Sequence, residues 1–118
     1  MIHQLGFRRG VAYAFRTSFE LPEMRRRLDG VGGRRWIDRC RDEWDEYISS
    51  ISRGPGEDDM TRLRIIWPDD QQKWVLDVLF ESAAADAGAR WHAFEAVVAD
   101  TLTIVDAAEI ERVESYAS

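Results

Sequence analysis

Apolar and polar positions alternate from Val11 onward, with Val11, Tyr13, Phe15, Thr17, Phe19 and Leu21 on one side and Ala12, Ala14, Arg16, Ser18 and Glu20 on the other. A period of two describes a strand with one buried face. Leu21-Pro22 breaks the alternation. Proline loses no hydrogen bond in the first turn of a helix, and Glu23 lies near the positive end of the helix dipole. Met24 and Leu28 share a face, so a short helix is predicted here, stopped by Gly30, Gly32 and Gly33.

Residues 34–52 are open to two readings. Trp36, Ile37, Cys40, Trp44, Tyr47, Ile48 and Ile51 recur at helical steps, which predicts an amphipathic helix with Cys40 on its apolar stripe. The competing reading is a hairpin, with Trp36–Arg39 and Glu46–Ser52 as strands around an acidic turn, because aromatic and β-branched residues favour strands.

Gly54-Pro55-Gly56 and the acids after it mark a loop. Leu63, Ile65 and Trp67 fall on one face, and Trp74, Leu76, Val78 and Phe80 alternate with Val75, Asp77, Leu79 and Glu81. The polar turn between these runs predicts a hairpin. Trp91, Phe94, Val97, Val98, Leu102 and Val105 then fall at helical spacing, predicting a helix from about Asp86 to Thr103. Ala108 to Glu114 is a candidate last strand. This order predicts a ferredoxin-like α/β sandwich, an antiparallel sheet of about four strands with two helices on one face. Residues 1–10 are expected to be an N-terminal extension, 11–114 the single α+β domain and 115–118 a loose tail.

Composition fits such a domain: 45% hydrophobic and 32% charged residues can build a core and keep it in solution. No apolar run is long enough to span a membrane, and no apolar stretch follows Arg8-Arg9 as in a signal peptide. With Cys40 as the lone cysteine, the expected compartment is the cytoplasm. The net charge of −6 argues against nucleic acid as a partner. Charge is also divided along the chain. Residues 1–41 hold ten Arg against four acids, and the remainder holds six basic residues against eighteen acids.

Candidate chemistry is sparse. His3, His92 and Cys40 are too few and too scattered for zinc, and no calcium-loop spacing is present, so no metal or other cofactor is expected. His92 is expected at the edge of its helix's apolar stripe and Cys40 as a buried, inert thiol. No serine stands in a nucleophile elbow, and no glycine-rich loop carries the residues that hold phosphate. These gaps point to a small acidic domain of bacterial type that is not an enzyme. The expected role is a protein-binding or regulatory module, inhibitor- or immunity-like, acting on a protein partner or by self-association. Its candidate partner-binding patch is Asp42, Glu43, Trp44, Asp45, Glu46 and Tyr47, whose acids would steer a basic partner. The alternative is a small dimeric α/β-barrel enzyme, or a small-ligand binder with an apolar pocket, in which Trp67, Trp74 and His92 mark a pocket or dimer face.

Overall fold

A computed structural model describes residues 6–41, 44–53, 58–68 and 72–116, without the side chains of residues 41, 44 and 45. In chain order its elements are β1 (Phe7–Arg16), α1 (Leu21–Leu28), a 3-10 turn (Val31–Gly33), β2 (Ile37–Arg41), β3 (Trp44–Arg53), β4 (Asp59–Ile66), β5 (Trp74–Ser82), α2 (Ala87–Ile104) and β6 (Ala108–Val113). The described strands form one antiparallel sheet of six, ordered β2-β3-β4-β5-β1-β6. After β1 the chain crosses through α1 to the far edge. It then returns as the meander β2 to β5, and α2 carries it over to β6 on the other side of β1.

The class is α+β, as the alternation and helical spacing imply, but the ferredoxin-like sandwich is overturned. The sheet has six strands, not four, and the reason lies in residues 34–52. They form the hairpin β2–β3 instead of a helix, pairing Ile37 with Ser49, Asp38 with Ile48 and Arg39 with Tyr47. Strand β3 also runs along β4, from Ile48 opposite Ile65 to Arg53 opposite Met60. The helical spacing of the apolar residues was real, but as strands these residues add a ladder to β4 that a helix cannot make. Main-chain donors and acceptors must be satisfied, and β-branched and aromatic side chains suit the sheet. The small dimeric barrel loses the fold analogy it rested on.

Both helices lie on one face. There Val11 and Phe15 of β1, Ile48 of β3, Leu63 and Ile65 of β4, and Leu76, Val78 and Phe80 of β5 meet Met24 and Leu28 of α1 and Trp91, Phe94, Val98 and Leu102 of α2. Phe80 is the hub, with ring centroids 5.7 Å from Trp91 and 5.9 Å from both Phe94 and Phe7. The Phe7 contact explains why β1 begins four residues before the clear alternation. The strand ends at Arg16 because the Thr17 hydroxyl donates to the Val105 carbonyl at 2.6 Å and accepts from the Phe19 amide. That exchange draws the chain out of the ladder and toward α1. Helix α2 closes with Ala107 N–H on the Leu102 carbonyl and Asp106 N–H on the Thr103 carbonyl, Asp106 taking a φ of 56°. No described helix is long and apolar enough to cross a membrane.

Candidate functional site

Among the described residues, the other face of the sheet carries no helix. Strand periodicity sends Ala12 and Ala14 of β1, Tyr47 of β3, Ile66 of β4 and Val75 of β5 to this side, where they form a second buried cluster flanked by Val113 and Tyr116. Arg64 and Asp77, opposite each other on β4 and β5, point the same way. Both are buried. Arg64 donates its Nε and one Nη to a single Asp77 oxygen, at 3.2 and 2.6 Å. The other Asp77 oxygen accepts the Tyr116 amide at 2.8 Å and the Ser115 hydroxyl at 3.3 Å. Arg64 also donates to the Tyr116 carbonyl at 3.2 Å. Residues after β6 therefore lie across this face, fastened by a desolvated ion pair. Such a pair is tolerable only when its remaining polar atoms are also bonded.

Toward β2 the same face is open. Ile37 and Ile51 remain 52% and 59% exposed. They border a groove of about 310 Å³ whose lining also includes Gly33, Arg34, Arg35, Arg39, Ser49 and Ser52. Arg35 and Arg39 are exposed, and no carboxylate lines the groove among the described residues. Arg62 stands opposite Ile51 in the β3–β4 register. Its Nε is buried and has no hydrogen-bond acceptor among the described residues. Burial, and then the nearby Arg64 charge, lower its pKa.

Arg34 positions this corner. Its guanidinium donates to the Ser50 hydroxyl at 3.2 Å, the Ser50 carbonyl at 3.0 Å and the Thr61 hydroxyl at 2.8 Å, and lies 5.7 Å from the Phe94 ring centre. Burial lowers its pKa to about 10. These bonds fix the segment leading into β2 against β3 and β4, and so set where Arg35 and Ile37 emerge.

The residues singled out from the sequence are distributed differently. Asp42 and Glu43 lie outside the described residues, and Trp44 and Asp45 open β3 with their side chains undescribed. Glu46 is exposed, whereas Tyr47 is buried in the helix-free cluster. Trp67 and Trp74 come together edge-to-face at 5.1 Å. His92 is remote from them in the sequence and joins neither their ring contact nor their pocket. It is exposed on α2, 2.9 Å from Glu95. Cys40, expected inside, is exposed on β2 because that segment is a strand. It borders a cavity of about 440 Å³ with Leu21, Pro22, Arg25, Asp38, Arg39, Glu46 and Tyr47. Arg25 and Asp38 pair there at 3.3 Å. No histidine lines that cavity among the described residues, nor is there a cluster of three or more His, Cys, Asp or Glu suited to a metal.

Sequence reasoning saw Arg35 and Arg39 only as part of a basic concentration and missed Arg62 and the Arg64–Asp77 pair. One signal was present. Arg62, Arg64 and Asp77 occupy the polar phase of two strands whose apolar phase is unbroken, and a hairpin register centred on residues 70–71 sets Arg64 opposite Asp77. Compared with known proteins, the chain matches no family model, no curated protein and no solved structure.

Proposed function

We propose that this chain is a non-enzymatic protein-binding module, regulatory or inhibitory in action, that receives an acidic, partly apolar segment of its partner on the helix-free face beside β2. The observation that carries the reading is a groove with exposed arginines and isoleucines and, among the described residues, no lining carboxylate. A carboxylate supplied there would meet the exposed Arg35 and Arg39, and apolar side chains flanking it would cover Ile37 and Ile51. Charge-assisted hydrogen bonds to arginine are among the stronger polar contacts. Strand β2 ends the sheet, so an extended segment could also use its main chain. The reading keeps protein binding as the role but exchanges the acidic patch at 42–47 for a basic one.

The test is fluorescence anisotropy with two labelled peptides of alternating charge and leucine, one built on Glu and one on Lys. The Glu peptide is expected to bind, more weakly as salt is raised, since exposed charges are screened beyond about 10 Å at 0.1 M salt. Arg39→Glu and Arg35→Glu are each expected to weaken it by about tenfold or more. Equal binding of the Lys peptide, or indifference to both substitutions, would sink the reading.

A further inference from the structure

A separate pocket of about 320 Å³ opens where β1 ends and β5 begins. Trp67, Trp74 and Phe19 wall it, and the fully buried Phe15 lies beneath. The edge-to-face contact of Trp67 with Trp74, at 74° between planes, holds two flat surfaces at a fixed angle. Phe19 is held by the Arg27 guanidinium, 4.2 Å from its ring centre. Trp67 remains 41% exposed.

Three charges join these rings, and they differ in how well they are satisfied. Arg16 is paired with Glu109 at 3.2 Å. The Lys73 side chain is only 20% exposed, yet its Nζ lies 3.8 Å from Glu111, beyond hydrogen-bond reach. An ammonium carries three donors, and among the described residues this one has no closer acceptor. Glu20, just before α1, makes no capping hydrogen bond with its carboxylate. The pocket thus offers aromatic walls, a cation whose nearest carboxylate lies beyond hydrogen-bond reach, and an anion close by. A ring, a carboxylate and an ammonium on one small molecule would complement all three.

We propose that this pocket binds a free aromatic α-amino acid. The ring lies among Trp67, Trp74 and Phe19, the carboxylate meets Lys73 and the ammonium meets Glu20. The volume falls within the range of about 300–1,000 Å³ usual for small-molecule sites. The pocket shares no lining residue with the groove beside β2, so this inference stands independently of the docking reading.

Titration calorimetry and saturation-transfer NMR on the full chain test it with three probes. L-phenylalanine carries both charges, phenylacetate lacks the ammonium and phenethylamine lacks the carboxylate. Phenylalanine is expected to bind saturably, and each truncated probe about tenfold or more weakly, as when a polar partner in a site is left unmatched. Lys73→Gln is expected to weaken phenylalanine by about tenfold or more and to leave phenethylamine unchanged. Glu20→Gln should do the reverse, weakening phenethylamine and sparing phenylacetate. Trp67→Ala, at an exposed position, should abolish binding with the thermal midpoint retained. No saturable phenylalanine binding by the unaltered chain overturns the proposal. Phenethylamine or phenylacetate binding as tightly as phenylalanine overturns it too, as does a Lys73→Gln protein that binds phenylalanine normally.

Discussion

Replacing Asp77 by Asn keeps the side chain's shape and removes its charge from beside a buried guanidinium. In the native chain one Asp77 oxygen serves Arg64 and the other serves Tyr116 N–H and the Ser115 hydroxyl. Asparagine has only one acceptor oxygen. Whichever way its amide turns, an NH₂ group faces either the Arg64 fork or the Tyr116 amide, and donor meets donor. Losing a charge-assisted hydrogen bond costs about 1.5–3 kcal/mol. Breaking a buried ion pair by removing one partner costs about 3–5 kcal/mol in total. At about 0.05–0.15 kcal/mol per residue, a chain of this length is stable by about 6–18 kcal/mol, so the loss is large but survivable. With a urea m-value of about 2 kcal/mol/M, the unfolding midpoint should fall by about 1.5–2.5 M. Urea titration followed by circular dichroism measures this, and hydrogen exchange at Tyr116 should accelerate in the variant. The double replacement Arg64→Met with Asp77→Leu tests the cause, because it removes both charges and keeps apolar volume. It is expected to recover most of the loss, apart from the contacts that hold residues 115 and 116. A loss below about 1 kcal/mol for Asp77→Asn would refute the reasoning, since surface substitutions alone reach about half that.

Other outcomes follow from single contacts. Trp91→Ala removes a ring packed on Phe80 and Phe94 and is expected to cost about 3–5 kcal/mol in the same titration. Asp106→Gly relieves a left-handed backbone at the end of α2 and is expected to raise stability by about 0.5–1 kcal/mol, read as a higher thermal midpoint. Cys40 should be alkylated by iodoacetamide in the native protein without denaturant, whereas a thiol on a buried helix stripe would be protected. The carboxylates of Glu23 and Asp86 have lowered pKa values, each chiefly through a hydrogen bond from a neighbouring arginine, Arg26 and Arg90 respectively. A carboxylate lowered in the folded chain adds stability that is present above its unfolded pKa and lost as pH falls through its folded one. Stability should therefore decline as pH drops below about 4, and Glu23→Gln should flatten part of that decline.

How much of this was legible along the chain depended on whether the signal was local. Pro22 and Glu23 opening a helix, Met24 and Leu28 on its face, and the repeat from Trp91 to Val105 needed no knowledge of distant residues, and both helices formed where that spacing put them. The hairpin at Trp67 and Trp74 was equally local, since polar residues at 69–72 separate two alternating runs. The stretch from Trp36 to Ile51 was different. Its apolar residues satisfy a helical period and a pair of strands alike, and its outcome was set by the vacant ladder of β4, which only the assembled sheet supplies.

The same division holds for the candidate sites. Periodicity alone put Arg62, Arg64 and Asp77 on the polar phase of their strands, but a polar phase ordinarily faces water. The assembled sheet settled which part of this face is covered, around Arg64 and Asp77, and which stays open, beside Ile37 and Ile51. Burial depends on which strands are neighbours and on what crosses them. Here residues 115 and 116, far along the chain from Arg64, supply that cover. Local spacing was enough for the helices, the hairpin and the polarity of each position. The sheet order, the identity of the covered face and the unmet donor of Arg62 came from long-range contact, which a residue's own neighbours in sequence do not specify.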